Sequence, residues 1–198
     1  MNAAAQPPSL TPEAVRAALD AFAPRLIADS SLTPSAVLIP IVDGPNGPDI
    51  LFTVRTAHVE HHKGEVSFPG GARDPEDDTI TRTAIRETHE EVGIQPEHVQ
   101  ILGRLNDHQT RTGYHITPFV GYVAGGADYD HNRLEVNLVL EVPFETLWEI
   151  YIRGPQPFTY GSNTIMAYEF HHEGHRIWGA TAGILAEFFD LLLAAESA

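Results

Sequence analysis

Cysteine is absent from the 198 residues, which excludes disulfides, thiol nucleophiles and thiolate metal sites. Lysine is almost absent too: Lys63 stands alone beside eleven arginines, and the 12 basic residues face 27 acidic ones, for a formal net charge of -15. Such a balance gives no cationic footprint for a nucleic-acid backbone or an anionic membrane surface, so neither partner is expected. No run approaches ~20 uninterrupted apolar residues, and residues 1–8 have neither the basic start nor the apolar stretch of a secretory signal. The expectation is a soluble cytoplasmic protein. An acidic chain can still take a phosphate-rich ligand when a divalent metal bridges the two.

What is present is enough apolar residue, 42%, for one substantial core. A single domain over residues 1–198 is expected, with residues 1–10 as a mobile tail; the sequence neither requires nor excludes an oligomer. Thr11 followed by Pro12 reads as a helix start, and Val15, Leu19 and Phe22 continue at helical spacing to about residue 22. Residues 36–42 and 50–55 read as a hairpin around a Gly/Pro/Asn turn, and 56–65 as a polar loop into a short strand at 66–68. Pro69-Gly70-Gly71 ends that strand. A helix is expected from Thr79 to Val92, capped by Asp77 or Asp78 and stopped by Gly93. Further strands are expected at 99–105, 116–123 and 134–140, a short helix near 142–148, a hairpin of 166–170 with 176–178, and a last helix through Ile184, Leu185, Phe188, Leu191 and Leu192. The resulting fold class is α+β, a mixed sheet flanked by helices.

The helix over 79–92 carries the chemistry. Residues advance by about 100° each, so Glu87 and Glu91 fall on one face a turn apart, with Glu90 beside them and Ile80, Ala84, Thr88 and Val92 on a neighbouring, core-facing stripe. Three crowded carboxylates repel unless a cation lies between them, and hard oxygen donors suit Mg2+ or Mn2+. Arg86 is placed to orient one of them through a forked contact. A bare Glu-x-x-Glu-Glu is more often a solvated helix face, and it is the surrounding pattern that favours a site.

That pattern, Arg86-Glu87-Thr88-His89-Glu90-Glu91-Val92-Gly93-Ile94 preceded by Gly70-Gly71, resembles the signature of the Nudix hydrolases, G-x5-E-x7-R-E-U-x-E-E-x-G-U with U aliphatic. The resemblance implies an α/β/α sandwich and metal-dependent attack of water on a diphosphate, with Arg86, Glu87, Glu90 and Glu91 as catalytic residues. Glu87, Glu90 and Glu91 would hold the metal. There are departures: Thr88 replaces an aliphatic residue, fourteen residues separate Gly71 from Arg86 instead of thirteen, and the first acidic position falls to Asp77 or Asp78.

Upstream, residues 51–71 resemble LLTxR[SA]x3Rx3Gx3FPGG, the extended motif of the coenzyme A pyrophosphatase branch, in which a longer acidic connector also recurs. This implies a small-molecule diphosphate substrate met by Arg55, Lys63, Gly70 and Gly71. Glu60 stands where the branch motif has arginine, which keeps ADP-ribose or another nucleoside diphosphate derivative in view, as well as a non-catalytic binding module on the same fold. Glu135 and Glu141 are candidates for an additional base. The cluster His58, His61 and His62 reads as a polar loop, His89 as an exposed helix position, and Asp128, Asp130 and His131 as a solvated turn. Trp178 and Phe188 read as core residues, and Tyr114 as either core or a stacking surface.

Overall fold

The computed structural model describes residues 6–56, 64–124, 129–160 and 163–196. Helix α1 (Pro12–Asp20) begins as its sequence requires: Thr11 accepts the amide of Ala14, and Pro12 occupies a position whose N–H would have no partner. Strands β1 (Thr33–Gly44) and β2 (Gly47–Arg55) form the expected hairpin, closed at Gly44 opposite Gly47. There follow β3 (Val66–Ser67), β4 (Gly70–Ala72), α2 (Ile80–Val92), β5 (Val99–Arg104), β6 (His108–Gln109), β7 (Tyr114–Val123), β8 (Val136–Pro143) and α3 (Phe144–Tyr151). The chain closes with β9 (Gln156–Tyr160), β10 (Asn163–Ala167), β11 (Phe170–His172), β12 (His175–Ile177) and α4 (Gly179–Glu196).

The main sheet runs β3-β2-β1-β7-β5, with β8 also on β2, β4 on β1 and β6 on β7. It is mixed, since β1 and β7 are parallel while the other pairs are antiparallel. Successive strand residues face opposite sides. Ile39, Ile41, Ile50, Phe52, Val54 and Val120 therefore join the larger core with α1, α3 and α4. Ala36 and Leu38 instead meet Ala84 of α2, and Leu51 meets Val92. Two helical layers thus sandwich one sheet, which is the architecture the sequence resemblance implied. No helix among the described residues is long and apolar enough to cross a membrane.

Along one side β1 changes partners. Residues 41–44 pair with β2, whereas Ser35, Ala36 and Val37 pair with Ala72, Gly71 and Gly70 of β4. This corrects the expectation that Gly70 and Gly71 merely turn the chain: they form a short strand lying between β1 and α2. Only glycine fits there, because a Cβ on Gly70 would overlap the Ala36 carbonyl oxygen and the residue has a φ of +156°.

Other boundaries also move. The cap of α2 is Thr79, whose hydroxyl accepts the Arg82 amide at 3.1 Å; Asp77 is turned inward and Asp78 takes no part. Strand β8 starts two residues late and continues to Pro143, which has no N–H to donate and precedes α3. In place of a hairpin of 166–170 with 176–178 there are two, β9 with β10 and β11 with β12. Glu173 and Gly174, both with positive φ, make the tight turn of the second. Phe188 is a core residue, while Trp178 is only half-buried and lies beneath the Arg176 guanidinium.

Candidate active site

Helix α2 presents its small residues to the sheet: Thr83, Ala84 and Thr88 are fully buried. Threonine replaces an aliphatic residue at 88 at little cost, because its hydroxyl donates to the Ala84 carbonyl one turn back at 2.7 Å. The helix ends at Gly93, whose φ of +84° is left-handed and whose N–H reaches the His89 carbonyl at 2.9 Å. A Cβ at Gly93 would also press on the backbone of Asp130. His89 lies against the Ile94 carbonyl, a contact that serves the helix end.

Packing this face on the sheet brings two glutamates against the glycine strand. Glu91 is 3% exposed, and one of its oxygens accepts the Gly70 amide at 3.2 Å. Glu87 lies over Gly71 so closely that a Cβ there would be 2.6 Å from its carboxylate. Burial raises the proton affinity of both. For Glu91 burial dominates, is only partly offset by the Gly70 amide and then Arg55, and pushes the carboxyl up to about 8. For Glu87 burial is again the largest cause, opposed by Arg86. Glu90 stands at the rim, about half exposed, and accepts Arg86 Nη1 at 2.9 Å.

Arg86 organises more than the one carboxylate its position suggested. Its Nε and Nη2 grip Asp77, Nη1 reaches Glu87 and Glu90, and Nη2 donates to the Ala72 carbonyl. Asp77, not Asp78, is therefore the acidic partner. It is 3% exposed and also accepts the Thr83 hydroxyl at 2.9 Å and the Asp74 amide at 3.0 Å. The Arg86 fork holds its carboxyl well below the usual carboxylate range, against the opposing effect of burial. The extra residue of the connector is absorbed in a loop that Arg73 closes by donating to the carbonyls of Asp77 and Asp78.

Arg55 also arrives at the site. Strand alternation puts it on the α2 side with Leu51, and its Nη1 lies 3.7 Å from Glu91 Oε1. Of the two late carboxylates, Glu135 raises the proton affinity of both Glu87 and Glu91, whereas Glu141 is engaged by the Tyr129 hydroxyl. Asp130 and His131 lie beyond the C-terminal end of α2, and Tyr114 is partly exposed at the start of β7. Lys63, Glu60, the histidines 58, 61 and 62, and Asp128 lie outside the described residues.

Among the described residues no three acidic or histidine side chains already converge as a ready-made metal cage; Glu87 and Glu90 instead share Arg86 Nη1, which donates to both. Glu87 and Glu91 nevertheless fit a divalent cation. They supply hard oxygens from adjacent turns, and the buried Glu91 has only a loosely placed positive partner at 3.7 Å. A buried carboxyl next to backbone that no side chain shields, steadied by an arginine network, is a donor arrangement that suits a divalent cation.

Comparison with known proteins agrees with this arrangement. The NUDIX domain model matches residues 32–146. Relatives described as uncharacterized Nudix hydrolase NudL are 37% identical in both Escherichia fergusonii, over 77% of this chain and 79% of the relative, and Photorhabdus laumondii, over 76% and 80%. Among solved structures, the fold is similar to the Nudix hydrolase RenU of M. smegmatis (TM-score 0.53, 19% identity, 83% of this chain and 86% of that one). It is also similar to a MutT protein of Methanosarcina mazei (TM-score 0.51, 16% identity, 90% and 100%). The chain belongs to the Nudix hydrolase family, and it is a pyrophosphohydrolase of pyrophosphate-containing small molecules. Nudix hydrolases use divalent metal ions.

Proposed function

We propose that the substrate is coenzyme A or a derivative, cleaved at its pyrophosphate to 3′,5′-ADP and 4′-phosphopantetheine, with Mg2+ or Mn2+ as the metal. The observation that carries this reading is the meeting of two motifs in space. The segment resembling the coenzyme A motif supplies both Arg55, beside Glu91, and the Gly70-Gly71 backbone that Glu87 and Glu91 rest on.

Glu87 and Glu91 would hold the metal, with Glu90 available from the rim. When bound, the metal neutralises diphosphate oxygens and lowers the pKa of water. The chain's own residues do the rest. Arg86, anchored on Asp77, fixes the Glu87 carboxylate; Gly70 and Gly71 let the diphosphate approach the backbone; Arg55 meets its charge, and Lys63 is the second cation that the motif offers for it. Glu135, whose charge raises the proton affinity of both Glu87 and Glu91, is the candidate to accept the proton of the attacking water.

The test is incubation with coenzyme A and Mg2+ and separation of products, beside a panel containing ADP-ribose and dinucleotides. Release of 3′,5′-ADP is expected, and its absence at high enzyme concentration rejects the assignment. The alternative, another nucleoside diphosphate derivative, is favoured by Glu60, which reverses the charge of the motif's arginine, and would show as turnover of another panel member.

A further inference from the structure

We infer that Arg55 is a built-in counter-cation for Glu91, which the metal must displace and which, once displaced, becomes free for the substrate. The inference rests on the metal site proposed above but concerns a coupling that neither the fold nor the motif assigns.

The contrast between the two arginines of the site is the starting point. Arg86 is fully engaged, with donors at 2.9 to 3.3 Å from three carboxylates and a carbonyl. Arg55 is not. Its contact with Glu91 is 3.7 Å, beyond hydrogen-bond length, and its buried Nε has no hydrogen-bond partner among the described residues. A guanidinium has five donors in a fixed fork. Among the described residues they meet one loose ion pair, although the group is mostly shielded from water.

Such a residue is held by charge and not by geometry. Glu91 is too buried to ionise comfortably alone, and Arg55 is the cation that faces it. A divalent ion taken up by Glu87 and Glu91 would compete with Arg55 for the same carboxylate and repel it. The side chain has room to respond without moving the strand: it is 28% exposed at the end of β2, while its backbone N–H and carbonyl stay bonded to Glu65 and Gly64. Released, it presents an unsatisfied planar fork to a diphosphate at the same site. Arg55 thus opposes metal in the empty enzyme and favours substrate in the loaded one, so that metal and substrate binding are coupled through one side chain.

This predicts effects of opposite sign from one substitution. Metal-stripped wild type, Arg55→Gln, Arg55→Lys and Arg82→Gln are titrated with Mn2+ alone by calorimetry and by the spin-resonance signal of free Mn2+. Arg82 is an exposed arginine on α2 and controls for loss of one positive charge at a distance. Arg55→Gln is expected to bind Mn2+ about tenfold more tightly, while Arg55→Lys and Arg82→Gln remain within about twofold of wild type. With saturating metal, KM for whichever panel substrate is turned over should rise at least tenfold in Arg55→Gln. Unchanged or weaker Mn2+ binding in Arg55→Gln, or equal tightening in Arg82→Gln, overturns the inference. Thermal melts of the stripped variants check folding. Tighter Mn2+ binding with no turnover of coenzyme A would leave this coupling standing and reject only the substrate assignment.

Discussion

Removing Asp77 separates the anchoring of Arg86 from the chemistry of the glutamates. In Asp77→Ala the buried Thr83 hydroxyl and the Asp74 amide lose their acceptor, and Arg86 loses its fork but keeps Glu87, Glu90 and the Ala72 carbonyl. An orphaned buried hydroxyl costs about 1–3 kcal/mol. Breaking a buried pair costs about 3–5 kcal/mol when both partners are enclosed, which must be discounted here because Arg86 is 23% exposed and retains other acceptors. The two together give roughly 3 kcal/mol, which at about 2–4 °C per kcal/mol for a chain of this size is a Tm fall of about 6–12 °C. Asp77→Asn, which keeps one acceptor oxygen, should lose less than half of that.

The pH dependence follows from the lowered carboxyl of Asp77. A depressed folded pKa gives stability that is fully present above the unfolded value, about 3.9, and is lost as pH falls through the folded value. The gap between wild type and Asp77→Ala should therefore be constant from pH 7 to 5 and shrink only in stronger acid. Thermal melts followed by circular dichroism across pH 3 to 7 measure it. A Tm within 1 °C of wild type at pH 7, or a gap that widens on acidification, would refute the reasoning.

The glycines and the metal-site carboxylates make further predictions. Gly70→Ala meets backbone and should fold poorly, losing about 1–3 kcal/mol, whereas Gly71→Ala meets the movable Glu87 side chain and should melt near wild type while losing most turnover; parallel melts and assays decide. Glu87→Gln should lower kcat at least a hundredfold with a Tm shift under about 3 °C, since Glu87 carries no core packing; unchanged turnover would remove it from the mechanism. Burial raises the Glu91 carboxyl to about 8 in the folded metal-free protein, so the folded chain holds that proton more tightly than the unfolded one and the pairing with Arg55 strengthens as pH rises. Metal-free stability should therefore fall as pH rises from about 4.5 towards 8, and the Tm gain from added Mg2+ should be larger at pH 8 than at pH 5.5. A gain independent of pH would show that Glu91 does not titrate with metal.

How much of this was written in the order of residues can be judged element by element. Thr11-Pro12, the 3.6-residue stripe of α2, Gly93 and the β1–β2 hairpin were legible because each depends on neighbours within a few positions. The cap of α2 is not decided locally, because Thr79, Asp78 and Asp77 all carry capping oxygens, and it is the Arg86 fork that takes Asp77 inward. The two late hairpins are not separable from periodicity, because the second depends on the turn geometry at Glu173 and Gly174.

The three glutamates, Arg86 and the glycine pair, and with them the family, were determined by the sequence alone, since a helix face and a fixed spacing need no tertiary information. What only the tertiary structure decided is which of those groups meet. The change of partners along β1 carries Gly70 and Gly71 under α2, and strand alternation delivers Arg55 to Glu91 across thirty-six positions of chain. Burial then makes Glu91 unlike Glu90, although the two are adjacent and chemically identical. Charge, hydrogen bonding and exposure at a site are properties of proximity, and proximity between distant residues exists only after the sheet has formed.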